Sequence, residues 1–320
     1  MDSASDHRTV PDREADTPAA PRAPRRIPRD GTARQQDGDF AGLGGLARGR
    51  RRLGAILILS VAFVLMGIFV SVQPVVLRFA PQRRWWLPPH WYRTIARLVG
   101  VRVEIVGKRV SGPVLFVSNH VSWLDILVLG SVLPRAAFIA KREVAGWGIF
   151  GRCATLANSL FIDRTRRHAS LDQTKEMQAR LARGDSLILF AEGTSSDGTG
   201  IHPFKSALFA VAEQFPEMLV QPVSLVYTHV NGIPVSRADR CRIGWFGDME
   251  LLSHVIELIA MGTIRAEVRL HPPLTFADAG SRKTLARECE RLVAAGMIAA
   301  RKADDDRTGR RLTSAPAHPK

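Results

Sequence analysis

The chain has 320 residues, 46% of them hydrophobic, enough for one sizeable α/β core or two small ones. Its formal net charge of +15 asks for an anionic partner. The basic residues form no patterned motif with interleaved aromatics, which argues against nucleic acid and leaves a membrane surface or an acidic substrate. Three widely spaced cysteines, Cys153, Cys241 and Cys289, fit a reducing compartment and argue against a disulfide framework or a zinc site.

Residues 1–50 are rich in Asp, Arg, Pro, Ala and Gly and read as a disordered basic tail, because they carry too little apolar surface to offset the entropy of ordering. The tail ends in Arg48-Gly49-Arg50-Arg51-Arg52, a cluster suited to anionic headgroups at roughly 1 kcal/mol per charge. Residues 51–84 read as a membrane-embedded segment. Within them Leu53 to Leu77 carries no charge, and about 20 such residues span a bilayer. Arginines on both sides, Arg50 to Arg52 before and Arg78, Arg83 and Arg84 after, favour keeping both ends in the cytoplasm. Gly67 and Pro74 are candidate breaks, so a re-entrant helix pair stands beside a single span. Trp85, Trp86, Trp91 and Tyr92 read as an interfacial aromatic belt, or else as a small aromatic core under a helix from Trp91 to Val99.

Beyond this segment the pattern becomes that of an α/β domain. Val101 to Val106 alternates as a half-buried strand does, and Pro113 to Val117 reads as a buried strand. Further strands are expected at Ala137 to Ala140, Ser159 to Ile162, Ser186 to Phe190, Leu219 to Val226, Cys241 to Trp245 and Ile264 to Leu270. Helices are expected from Ser122, over Gly146 to Leu156, Ser170 to Arg183, through Ala212 from an opening at Pro203-Phe204-Lys205-Ser206, and over Leu251 to Ala260 and Ser281 to Ala300. The alternation implies a mixed, mostly parallel sheet flanked by helices. Residues 301–320 read as a second disordered tail.

The chemistry concentrates where strands end. Ser118-Asn119-His120-Val121-Ser122-Trp123-Leu124-Asp125 lies between a strand and a helix, where α/β proteins place ligands. With the helix starting near Ser122, Asp125 sits in its first turn and can accept a proton from one nitrogen of His120, leaving the other nitrogen as a general base. A plain helix cap would explain the same spacing. No serine is placed to act as nucleophile, so the base would activate a hydroxyl of the substrate. A second polar loop, Ala191-Glu192-Gly193-Thr194-Ser195-Ser196-Asp197-Gly198, follows another strand, and Lys205 precedes a helix N-terminus suited to anions.

Four blocks in order resemble the motifs of the glycerolipid acyltransferases, the 1-acylglycerol-3-phosphate acyltransferase family. They are Asn119-His120-x4-Asp125, Leu160-Phe161-Ile162-Asp163-Arg164, Phe190-Ala191-Glu192-Gly193-Thr194 and Val220-Gln221-Pro222-Val223. The likeness covers roughly residues 85–275, inside an acyltransferase domain expected over 85–300. It implies acyl transfer from acyl carrier protein or coenzyme A to a lysolipid hydroxyl, without an acyl-enzyme, a cofactor or a metal, on the cytoplasmic side of the inner membrane. By that resemblance His120 is the general base and Asp125 orients it. Asp163, Arg164, Glu192, Gly193, Thr194 and Lys205 shape the acceptor site, Pro222 the acyl site, and Lys141 is an oxyanion candidate.

In one place the chain departs from the family. The third motif usually reads Glu-Gly-Thr-Arg, whose guanidinium suits a phosphate; here the fourth position is Ser195. The extended form Glu-Gly-Thr-Ser-Ser-Asp-Gly, then Pro-Phe-Lys-Ser, is similar to the bacterial branch that acylates lyso-ornithine lipid. Its acceptor carries a cationic amine that Asp197 could pair. The alternatives are a 1-acylglycerol-3-phosphate acyltransferase, a hydrolase using the same His–Asp pair on water, and a non-catalytic membrane-binding protein that retains the fold.

Overall fold

The computed structural model describes residues 38–162 and 169–313. The chain divides into two compact units, Met1–Leu46 and Ala47–Lys320; of the first, only the helical residues from Gly38 are described. In chain order the helices are α1 Gly38–Phe79, α2 Leu87–Leu98, α3 Leu124–Val132, α4 Gly148–Leu156, α5 Ala169–Ala182, α6 Ala210–Gln214, α7 Arg237–Ile243, α8 Leu251–Met261, α9 Phe276–Ala279 and α10 Arg282–Thr313. The strands are β1 Val101–Val106, β2 Val114–Ser118, β3 Ala136–Lys141, β4 Leu160–Ile162, β5 Ser186–Phe190, β6 Leu219–Val230, β7 Ile233–Pro234 and β8 Ile264–Leu270.

The sheet order is β1-β8-β6-β2-β5-β3-β4, with β7 on the end of β6. β6 pairs antiparallel with β8 and β7, and every other pairing is parallel. The central strands β2 and β5 are buried almost throughout, as strands covered on both faces must be. Successive side chains of β2 feed opposite cores. Val114 and Phe116 join α2, α3 and α8 on one face. Leu115 and Val117 join Phe209 and the α10 residues Leu285, Cys289 and Val293 on the other. The mixed, mostly parallel sheet with flanking helices is thus the architecture that the alternation implies.

Helix α1 runs unbroken through Gly67 and Pro74, so the re-entrant pair gives way to one helix. Its Leu53–Phe79 part is 27 residues long and apolar enough to cross a membrane. Ala55, Ala62, Met66, Phe69 and Gln73 form the buried stripe, while Leu53, Ile56, Leu57, Val61, Val64, Ile68, Val72 and Val75 stay exposed. The one buried amide in that stripe, Gln73, donates through Nε2 to the carbonyls of Arg84 (2.9 Å) and Leu156 (3.3 Å). An apolar helix fixed to its domain by one stripe and open on the other suits lipid contact.

Four local expectations change. Residues 38–50 and 301–313 are helical rather than tail. Cys241 to Trp245 is not a strand. Ser236 and Asp239 close a reciprocal capping box that starts α7, and this local cap overrides the strand-like alternation. Finally, the aromatic belt is mostly core. Trp91 stacks on Phe69 at 4.6 Å, Tyr92 is buried against Trp91 and Phe138, and Trp85 donates to Asp185 at 2.7 Å. Of the four residues only Trp86 is largely exposed.

Candidate active site

β2 ends at Ser118, and the chain turns through Asn119 and His120 into α3. The His120 side chain is 19% exposed and stacks on Phe190 of β5, with ring centres 3.9 Å apart and planes 14° from parallel. Its Nδ1 lies 2.7 Å from Asp125 Oδ2. The same oxygen accepts the backbone N–H groups of Val121 (2.6 Å) and Ser122 (2.9 Å). The carboxylate therefore caps the start of the helix and orients the imidazole at once. Asp125 is fully buried, and an acceptor-only carboxylate fixes the tautomer with the proton on Nδ1. Nε2 has no hydrogen-bond partner among the described residues and carries the free lone pair.

The loop is held at several points. Asn119 exchanges two 2.9 Å hydrogen bonds with the backbone of Leu225 on β6. The His120 N–H donates to Glu192 Oε1 at 2.6 Å, and its carbonyl accepts Ser196 N–H at 2.9 Å and the Ser196 hydroxyl at 3.1 Å. Trp245 N–H donates to the Val121 carbonyl at 2.9 Å. The other oxygen of the carboxylate, Asp125 Oδ1, accepts the Tyr227 hydroxyl at 2.6 Å. Burial, and next the Asp125 charge, push the Tyr227 phenol well above its ordinary range, so the proton stays on the tyrosine.

Tyr227 was not singled out by sequence reasoning. The one signal was a tyrosine just past a strand-like run, whose hydroxyl must find a partner once buried. The partner is 102 positions away.

Glu192 was expected at the acceptor. It is fully buried, and Oε2 accepts His202 N–H at 2.7 Å, so both oxygens are taken by backbone. The residue ties the third-motif loop to the base loop. Burial raises its pKa, with the His120 and His202 hydrogen bonds acting in the opposite sense. Gly193 follows at φ +71°, a turn that favours glycine. Thr194 and Lys205 are exposed, and Lys205 N–H donates to the Ala191 carbonyl at 2.9 Å. Asp197 Oδ1 accepts from Thr199 N–H (2.9 Å) and hydroxyl (2.7 Å), which hold its carboxyl below the usual range.

Lys141 closes β3, exposed, in register with Ile162. Pro222 is buried in β6 opposite Val117, and its carbonyl accepts His271 N–H at 3.0 Å. Asp163 and Arg164 lie outside the described residues.

A His–Asp pair at the ends of parallel strands, with one imidazole nitrogen free, suits proton removal from a hydroxyl. The family described as Acyltransferase matches residues 100–226. The chain belongs to this acyltransferase family. It is 40% identical over 253 residues to a lyso-ornithine lipid O-acyltransferase of Brucella abortus, covering 76% of this chain and 94% of that protein. It is 36% identical to one of Rhizobium meliloti, covering 74% and 82%. A 1-acyl-sn-glycerol-3-phosphate acyltransferase of Neisseria gonorrhoeae is 39% identical over a shorter stretch, 31% of this chain and 38% of that one. In fold, the chain resembles the crystal structure of the 1-acyl-sn-glycerophosphate acyltransferase of Thermotoga maritima. The TM-score is 0.58 at 20% identity, over 85% of this chain and 99% of that one.

Proposed function

We propose that the protein moves a fatty acyl group from a thioester of acyl carrier protein or coenzyme A to the free hydroxyl of lyso-ornithine lipid. The observation that carries the reading is the 2.7 Å His120–Asp125 pair with Nε2 left free. Nε2 takes the proton of the lipid hydroxyl as its oxygen attacks the thioester carbonyl. Asp125 stabilises the imidazolium that forms, and the tetrahedral intermediate then expels the thiol, which takes the proton from His120. Lys141, exposed at the end of β3, is our candidate for the developing oxyanion. Asp163 and Arg164 are assigned to the acceptor by motif, with Gly193, Thr194 and Lys205, and Pro222 to the acyl side.

Two things favour lyso-ornithine lipid over 1-acylglycerol-3-phosphate. Ser195 stands where a phosphate-binding arginine would be expected, and the matches that cover 76% and 74% of this chain carry the lyso-ornithine activity in their names. The enzyme works at the inner membrane from the cytoplasmic side, a placement supported by the apolar Leu53–Phe79 helix and by the cytoplasmic origin of its thioester donor. The test is a side-by-side assay of purified protein with labelled acyl carrier protein thioester and either acceptor. Diacylated ornithine lipid is the expected product; phosphatidic acid as the main product would overturn the choice of acceptor.

A further inference from the structure

β6 does more for this site than complete the sheet. Its first residues pair with β2 as far as Val223 opposite Ser118, and then β6 continues where β2 has ended. Leu225 holds Asn119, and Tyr227 holds Asp125. The β6–β8 register shifts between Tyr227 and His229, leaving Thr228 as the extra residue of a bulge. Bulges bend a strand and re-aim its side chains, and this one sits directly behind the tyrosine that reaches the catalytic loop.

We propose that Tyr227 is a positioning residue of the transfer reaction: its hydroxyl disperses the charge of Asp125 and fixes the carboxylate rotation, so that Oδ2 faces His120. The inference rests on the reading of His120 as the general base. Oδ2 already accepts three donors, whereas Oδ1, in a fully buried place, accepts the Tyr227 hydroxyl alone among the described residues. Without the phenol, Oδ1 loses that partner, and the carboxylate charge concentrates toward Oδ2. That charge then holds a proton on His120 more firmly, so a larger fraction of enzyme is in the inactive imidazolium form at a given pH. The other ionisable groups facing this cluster are Glu192 and His202 from the third-motif loop, and Arg240 of α7 and Arg301 of α10, which share a small cavity with Tyr227. None of them touches Asp125.

The test compares the full-length enzyme with Tyr227→Phe and with 3,5-difluorotyrosine placed at 227. Turnover is followed from pH 5 to 9 with acyl carrier protein thioester and lyso-ornithine lipid. We expect Tyr227→Phe to lower kcat about tenfold with both KM values within about twofold, and to move the acid limb up by about half a pH unit or more. The fluorinated ring, a stronger donor, restores kcat and moves the limb back to or below the wild-type position. A second readout needs no turnover: the pH dependence of carbethoxylation at His120, quantified on its peptide, shifts in the same directions. An unmoved acid limb and an unmoved carbethoxylation profile would overturn the proposal, as would a raised KM at constant kcat. If the wild type turns over neither lysolipid, the functional reading fails, and the carbethoxylation series still decides the role of Tyr227.

Discussion

Asp125→Asn isolates what the carboxylate charge contributes. Oδ2 faces three donors, His120 Nδ1–H and the N–H groups of Val121 and Ser122. The asparagine carbonyl must therefore take that place, with its amide NH2 facing Tyr227. The phenol oxygen can rotate to accept from it, so the loop, the helix cap and the imidazole tautomer all survive. What disappears is the negative charge 2.7 Å from a nitrogen that becomes an imidazolium during transfer. Removing the charge from such a hydrogen bond costs about 2–3 kcal/mol, roughly 30- to 150-fold in kcat. KM should change little, because Asp125 is fully buried and out of a substrate's reach. Asp125→Ala, by contrast, leaves four donors, the Tyr227 hydroxyl among them, without their acceptor and should also lower the unfolding temperature. The assay is initial-rate transfer by detergent-purified enzyme at saturating thioester and lysolipid, paired with thermal unfolding of each variant. Activity within threefold of wild type for a normally folded Asp125→Asn would refute the charge argument and reduce Asp125 to a loop brace.

Other perturbations test the supporting frame. Glu192→Gln swaps one backbone-facing oxygen for an NH2 group aimed at an N–H donor, so it should cost about 1–3 kcal/mol by chemical denaturation; unchanged stability would refute the tether. His254 accepts Trp123 Nε1–H through Nδ1 and faces the Arg242 carbonyl through Nε2, and burial lowers its pKa. The unfolded chain thus binds a proton that the folded one refuses, so stability is complete above about pH 6.5 and falls as the pH drops below it. His271 is lowered in the same direction, so His254→Gln should remove part of that acid slope, and an unaltered slope in pH-dependent melting would contradict the assignment. Val64→Lys with Ile68→Lys places two charges on the exposed face of α1 near the middle of its apolar part, at 63% and 53% exposure. Each costs about 2.5–3.5 kcal/mol near the centre of a bilayer, so co-flotation with anionic vesicles should fall at least about tenfold, and full flotation would contradict lipid contact by that face.

How much of this was legible in the sequence depends on the range of the interaction. β2 and β5 show as short unbroken apolar runs because both their faces are buried, and the polar motifs stand out because each follows such a run. The helix continuity of α1 through Pro74 was hidden. Helix breakers are local signals, whereas the contacts that hold this helix in place, Gln73 to Leu156 among them, are distant in sequence. Cys241 to Trp245 shows the reverse error: the strand expectation leaves out the cap five residues upstream of Cys241, which starts a helix. The motif also marked Glu192 without its direction. A glutamate beside a glycine turn looks like a ligand-facing group until the two N–H donors that occupy it are seen.

The proposed base is held by the ends of three strands, and each contributes something the others lack. β2 delivers His120 on a loop that leaves the sheet. β5 supplies the flat face of Phe190 beneath the imidazole and, one turn later, the Glu192 carboxylate that fixes the His120 N–H. β6 outlasts β2 by seven residues and lies alongside the loop with a backbone pair for Asn119 and a hydroxyl for Asp125. A histidine on an unsupported loop would lose transfer efficiency with each ångström of drift. Here its N–H, its carbonyl, its Nδ1 and one ring face are each engaged, and Nε2, left free among the described residues, is the atom the proposed transfer needs.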